Sequence, residues 1–300
     1  MSDLTLRCPA KINLTLFNHG RVSTDGYHDV TTLLAKIPLY DYLQVSFLPE
    51  YCADHIIECQ EEKIPCNEDN LMMKVLRLLE RHYHLPKCLI KLENNIPVGS
   101  GLGGGSSDAG ALLVGLNRRL NLNIKNSRMQ KLALQIGADV PFFTRPEKVS
   151  LEYHHGRQNL RTRAYAPLPA CKILLVYQDY SLETPAMYQL LDKYGVMSTN
   201  DQDRVLPTDG DAWNLTTLAR VLTNDFARLL DYQAIDLHGA DKIVADLQPM
   251  GLSLTGKGPT LFAIFAPEQV IDREKLQGFA YQLIQVKAHN CGYRKHFPKR

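Results

Sequence analysis

Pro97-Val98-Gly99-Ser100-Gly101-Leu102-Gly103-Gly104-Gly105-Ser106-Ser107 is the stretch whose residue types point most directly to chemistry. Five of the seven residues from 99 to 105 are glycine, a density that disfavours any regular element and so needs a reason. Backbone N–H groups approach an anion closely where Cβ atoms are absent and φ is free to be positive. Placed before a helix, such a loop holds phosphate by its backbone donors and the helix dipole. Ser106 and Ser107 add hydroxyls that can reach a phosphate or its Mg²⁺. A linker is the alternative, but helical and strand patterns flank the loop at short range.

Two other phosphate motifs fail on their own terms. Gly99-x-Gly101-x-x-Gly104 has dinucleotide-binding spacing, yet no Asp or Glu occurs from Ala109 to Ala138 to hold a ribose. Gly251-Leu-Ser-Leu-Thr-Gly256-Lys257-Gly258 fits G-x-x-x-x-G-K but continues with glycine where a Mg²⁺-binding Ser or Thr is required.

The elements that must position this loop follow from periodicity. Leu4–Phe17, Val30–Ile37 and Tyr42–Phe47 are predicted strands, with the turn-rich Ser23-Thr24-Asp25-Gly26 among them. A helix is predicted over 69–85, with Leu71, Val75, Leu78, Leu79 and His82 on one face and Lys74, Arg77 and Glu80 opposite. Cys88–Leu92 is a short strand. Ser106–Leu120 is a helix with Ser106 and Ser107 as N-caps and Asp108 in the positive first turn. A further helix runs from Asn126 to a terminating Gly137. The second half alternates again: strand Lys172–Tyr177, helix Pro185–Tyr194, a polar loop Met197–Ala212, helices Trp213–Tyr232 and Gly239–Met250, strand Thr260–Ala266, then a helix and a final strand from Glu268 onward. The interleaving indicates an α+β or α/β design, with a boundary near Ala164–Pro169 that divides the chain into domains 1–165 and 166–300.

Composition narrows the class. A formal net charge of +2 is too small to imply nucleic acid as a partner. Apolar runs such as Ile173–Tyr177 fall far short of the ~18 residues of a membrane span, and the N-terminus lacks a signal-peptide pattern. The seven cysteines are odd in number and form no C-x-x-C pair, which points to reduced thiols in a cytoplasmic protein.

Pro97-x-x-x-Gly101-Leu102-Gly103-Gly104-Gly105-Ser106-Ser107 resembles the phosphate loop of the GHMP kinases (galactose, homoserine, mevalonate and phosphomevalonate kinases). Pro9-Ala10-Lys11-Ile12-Asn13-Leu14, Asp25-Gly26-Tyr27-His28, Glu68-Asp69-Asn70-Leu71 and Gly137-Ala138-Asp139-Val140-Pro141-Phe142-Phe143 are similar to one branch of that family, the 4-diphosphocytidyl-2-C-methyl-D-erythritol kinases. The resemblance implies a two-domain GHMP kinase fold, with a ribosomal protein S5 domain 2-like N-terminal domain and a ferredoxin-like C-terminal domain. It also implies ATP and Mg²⁺ as cofactors, a cytidine diphosphate-linked polyol as acceptor in the non-mevalonate isoprenoid pathway, no membrane partner, and a monomer or homodimer.

By the same resemblance Lys11 and Asp139 are the catalytic residues. Asp139 is the general base for the acceptor hydroxyl, and Lys11 is a cation for the phosphoryl charge. Residues 97–107, with Asn70 and Leu71, bind ATP; Asn70 and Leu71 could equally open the helix. Asn13, Tyr27, His28, Asp139 and Tyr188 bind the acceptor, with Tyr27 and His28 suited to a cytosine ring. Tyr188 also reads as a core residue of an amphipathic helix. No metal ligands are assigned.

Two stretches depart from the family. Glu152–Arg163 is basic, with a single glycine, where the branch is glycine-rich. Lys257 stands where Ser or Thr is usual. Another small alcohol as acceptor, or a non-catalytic nucleotide-binding paralogue, therefore stands as an alternative.

Overall fold

A computed structural model describes residues 3–21, 28–146, 151–155, 161–165, 168–198 and 213–287, of which 151–155 and 161–165 are described as backbone. Asp25, Gly26, Tyr27, most of the expected polar loop Met197–Ala212 and residues 288–300 lie outside the described residues. The chain divides into two compact units. The first comprises 1–10, 38–98 and 102–146; the second comprises 11–37, 99–101 and 147–300. The long strands β1 (Leu4–Arg21) and β2 (His28–Phe47) contribute residues to both.

In the first unit, β3 (Ile56–Cys59) and β4 (Cys88–Glu93) extend the sheet in the order β3-β4-β2-β1, with β3 parallel and β2 antiparallel to β4. Strand alternation sends Leu43, Val45, Ile90 and Leu92 to one face. Against that face pack α1 (Leu71–Glu80), α2 (Gly104–Arg119) and α3 (Asn126–Ile136), through Val75, Leu76, Leu79, Leu112, Leu113, Leu116, Leu132 and Ala133. Asn70 caps α1, its Oδ1 accepting from the Met72 amide at 2.8 Å. The helix ends at Glu80, so His82 lies beyond it and is exposed rather than on the apolar face. A last short helix, α4 (Val140–Phe143), crosses α2 at Gly110. A Cβ there would stand 2.6 Å from Phe143 Cβ, so glycine permits the approach.

In the second unit, β2 pairs antiparallel with β5 (Leu151–His155), which pairs with β6 (Arg161–Tyr165). A separate antiparallel sheet has the order β11-β7-β10-β9, from β7 (Cys171–Tyr177), β9 (Gly251–Leu254), β10 (Leu261–Phe265) and β11 (Ala280–Val286). Its apolar face meets α5 (Thr184–Lys193) and α7 (Ala240–Ala245) in a core of Leu174, Val176, Met187, Leu191, Val244 and Ala263.

Other expectations change as well. The predicted strands Val30–Ile37 and Tyr42–Phe47 are one continuous strand, β2. The predicted helix Trp213–Tyr232 is broken into α6 (Leu215–Val221), the two-residue β8 (Thr223–Asn224) parallel to β1, and a 3₁₀ turn at Asp225–Leu230. Distant polar partners break it: Asp225 Oδ2 accepts from the Asn18 amide and the Ser198 hydroxyl, both at 2.7 Å. After Glu268 only a 3₁₀ turn, Glu274–Leu276, precedes β11.

Candidate active site

Lys11 and Asn13 lie two residues apart on β1, hence on one face, and both are buried. Lys11 Nζ donates to Asn13 Oδ1 at 2.5 Å, and Asn13 Nδ2 donates to Thr32 Oγ1 at 2.8 Å. The Asn13 amide donates to Thr255 Oγ1 at 3.2 Å, and the same hydroxyl stands 3.4 Å from the Gly101 carbonyl. Thr255–Gly258 is a turn closed by the Gly258 amide on the Thr255 carbonyl at 3.0 Å. Asn224 Nδ2 holds the turn by donating to the carbonyls of Leu254 at 2.9 Å and Gly256 at 2.8 Å. The glycine loop is locked to this turn at Gly101. Its φ is +78°, and a Cβ would stand 2.5 Å from the Thr255 carbonyl oxygen. Thr255 and Asn224 thus buttress the loop from afar, a role that residue type alone did not signal.

A second cluster in the same unit surrounds His28. Its ring stacks on Tyr188 with centroids 4.5 Å apart, and Tyr188 meets Phe226 edge-on at 5.2 Å. His28 Nε2 is 2.7 Å from Asp192 Oδ1, and Arg21 Nε donates to Asp192 Oδ2 at 2.7 Å. Burial opposes the charge on Asp192, but the bonds from His28 and Arg21 outweigh it and hold the carboxyl below its ordinary value. Asp192 went unremarked in the sequence, although it falls one helical turn after Tyr188. Tyr188 serves the core and the His28 stack together.

The first unit holds the rest of the loop and Asp139. Gly103 is the N-cap of α2 with φ +76°, so the helix begins at Gly104 and Ser106 and Ser107 lie inside it. That corrects their expected role as caps. Ser107 is buried and donates its hydroxyl to the Pro9 carbonyl at 2.7 Å, which leaves Ser106 as the half-buried hydroxyl of the pair. Asp41 braces the residues just before Pro97, accepting from the amides of Asn95 at 2.5 Å and Ile96 at 2.8 Å. Leu71 ties two motifs together: Cβ atoms on Gly105 and on Gly137 would each stand 4.0 Å from its Cδ1. Asp139 precedes α4 with φ −86° and ψ −15°, half-buried, and its side chain makes no capping bond to that helix.

Asp108, expected in the first turn of a helix starting at Ser106, lies beyond the first turn of α2 and is buried, and its Oδ1 has no hydrogen-bond partner. Burial pushes its pKa well up and the charge of Asp41 adds to this, against a bond from Cys8. A folded-state pKa above the unfolded value means a stability contribution present below the ordinary Asp value of ~4 and lost as pH rises through the folded pKa. Asp108→Asn is therefore expected to gain stability relative to the parent between pH 4 and pH 8. Urea melts at both pH values test this, and a difference independent of pH would show that Asp108 folds ionised.

The GHMP kinases N terminal domain model matches residues 70–146. A 4-diphosphocytidyl-2-C-methyl-D-erythritol kinase of Caldanaerobacter subterraneus is 32% identical over 266 residues, covering 87% of this chain and 88% of that protein. The chain belongs to the 4-diphosphocytidyl-2-C-methyl-D-erythritol kinase family. A family member from Lachnospira eligens is 33% identical over 274 residues, covering 90% and 91% of the two chains. A crystal structure of a 4-(cytidine 5'-diphospho)-2C-methyl-D-erythritol kinase superposes with a TM-score of 0.74 at 24% identity, over 95% of this chain and 100% of that one. The Methanococcus jannaschii mevalonate kinase gives 0.67 at 15% identity, over 95% and 98%. The fold is the two-domain GHMP kinase fold, and family membership makes the chain an ATP-dependent small-molecule kinase.

Proposed function

We propose that this chain transfers the γ-phosphoryl group of ATP to a hydroxyl of 4-diphosphocytidyl-2-C-methyl-D-erythritol. What carries the reading is that relatives at about a third identity across nine-tenths of the chain bear that enzyme's name. In this reading the backbone of 97–107 cradles the ATP phosphates, and Asn70 and Leu71 border the nucleotide. Asp139 takes the proton of the acceptor hydroxyl as its oxygen bonds to phosphorus and ADP leaves. Lys11, oriented by Asn13, balances the charge on the transferred group. Mg²⁺ bound to ATP would neutralise phosphate charge. Ser106, the half-buried hydroxyl near the start of α2, is the protein group that would reach it, beside phosphate oxygens and water. No helix of the described residues is long and apolar enough to cross a membrane. We take the enzyme to act in the cytoplasm on small molecules, as a monomer or homodimer.

Tyr27, His28 and Tyr188 form the cytosine platform in this reading, and Asp192 orients the His28 ring. Asp192→Ala is then expected to raise KM for the cytidine substrate roughly 5- to 10-fold, the cost of about one charge-assisted hydrogen bond at a partly exposed site. KM for ATP should be unchanged. Steady-state kinetics with each substrate varied in turn decide the point, and equal effects on both constants would assign Asp192 to general stability. The function itself is tested by coupled ADP release with the cytidine substrate beside simple polyols and homoserine. Turnover of another alcohol alone would retire the named acceptor, and binding of ATP without any turnover would retire the kinase.

A further inference from the structure

Lys257 departs from the family's third motif, and the functional reading leaves it without a task. It sits in the Thr255–Gly258 turn, which is bonded to Asn13 and Gly101 through Thr255 and to Asn224 through Gly256. The neighbouring Gly256 lies close to Lys11: a Cβ there would stand 3.5 Å from Lys11 Nζ. Lys257 therefore follows directly on a residue that borders both Lys11 and Gly101 of the phosphate loop.

Its side chain is half-buried, and its ammonium donates to Thr184 Oγ1 at 2.8 Å. Among the described residues no carboxylate comes within ion-pair distance of it. Burial pushes its pKa down, only partly offset by the charge of Glu183. A half-buried ammonium held by a neutral hydroxyl, with no carboxylate at ion-pair distance among the described residues, is suited to meet an anion. An ammonium carries three donors and Thr184 takes one, so two stay available for an anion. Thr184 fixes the direction of the side chain and removes part of the entropy that a free lysine would lose on binding.

We propose that Lys257 is a substrate-binding residue that grips a phosphate oxygen of a bound substrate, with Thr184 positioning its ammonium. The inference rests on the kinase reading for the identity of the substrates, and on the turn geometry for the rest. Two substrates bring the same chemistry to this corner, ATP and the diphosphate of the acceptor.

The test uses the full chain and the variants Lys257→Met and Lys257→Arg. Calorimetry with AMP-PNP and Mg²⁺, and separately with cytidine 5'-diphosphate, reads each binding constant without turnover. Steady-state KM values for ATP and the cytidine substrate are measured beside them. Lys257→Met is expected to weaken one of the two phosphate ligands by roughly 10- to 100-fold, the loss of one charge-assisted bond to phosphate. The same variant should flatten the salt dependence of that constant, and Lys257→Arg should restore most of the affinity. A loss confined to AMP-PNP assigns the contact to ATP, and one confined to cytidine 5'-diphosphate assigns it to the acceptor. Thermal melts confirm that each variant is folded. Both constants within twofold of the parent in folded Lys257→Met would overturn the proposal, as would a fall in kcat alone. If the parent binds both ligands but does not phosphorylate the cytidine substrate, the functional reading fails while the calorimetry still decides Lys257.

Discussion

Asp139→Asn is expected to lower turnover by roughly 10²–10⁴-fold, the usual contribution of a positioned general base, with ATP affinity left within about twofold. Asp139 occupies the N-cap position of α4 but makes no capping bond, and α4 is held instead by the burial of Val140, Pro141, Phe142 and Phe143. The close approach of α2 and α4 at Gly110 holds α4 by packing. Asn is nearly isosteric and keeps an acceptor oxygen, but it cannot take a proton. Calorimetry with AMP-PNP and single-turnover kinetics separate binding from chemistry. A fall of less than about threefold would mean that the acceptor loses its proton elsewhere, and Asp139 would revert to a binding role.

Gly101→Ala is the second large effect. The residue sits at φ +78°, and the added Cβ would stand 2.5 Å from the Thr255 carbonyl oxygen, a backbone atom in a turn pinned by Asn224. A left-handed alanine alone costs about 1–2 kcal/mol, and relief of the clash must displace either the loop or the turn. ATP affinity is expected to fall roughly 10- to 100-fold. The cores of the two units lie elsewhere, in clusters that do not include Gly101, so the melting temperature should drop by only a few degrees. An AMP-PNP constant equal to the parent's would show that the loop does not need this backbone geometry to bind nucleotide.

Local order was legible wherever a segment's own pattern agreed with its surroundings. The strand expected at Cys88–Leu92 is β4, and the helices expected from Asn126 and at Pro185–Tyr194 are α3 and α5, with ends shifted by a residue. Expectations failed where a distant partner won. Asn224 and Asp225 sit in a segment with helical spacing, but their side chains bond to Leu254, Gly256, Asn18 and Ser198, and the helix gives way. Gln248 adopts φ +57° soon after α7 and ends the turns that were expected to reach Met250. Asp108 was expected in the first turn of a helix starting at Ser106, yet α2 begins at Gly104 and its register turns Asp108 into the core.

Residue types and their spacing determined the phosphate loop, the five ordered motifs and, through them, the family with its α+β fold. These are properties of short segments: a loop of glycines ahead of a helix means the same thing in any context that leaves it exposed. Only the tertiary structure decided which groups act on that loop from outside. Ser107 is a hook to Pro9, not a cap, because β1 passes beside α2. Thr255 reaches Asn13 and Gly101 across a long stretch of chain, and Asp192 finds His28 and Arg21 on β2 and β1. Hydrogen bonds of this kind depend on distances of about 3 Å between residues far apart in sequence. No periodicity encodes those distances, and they exist only once the sheets and helices have packed.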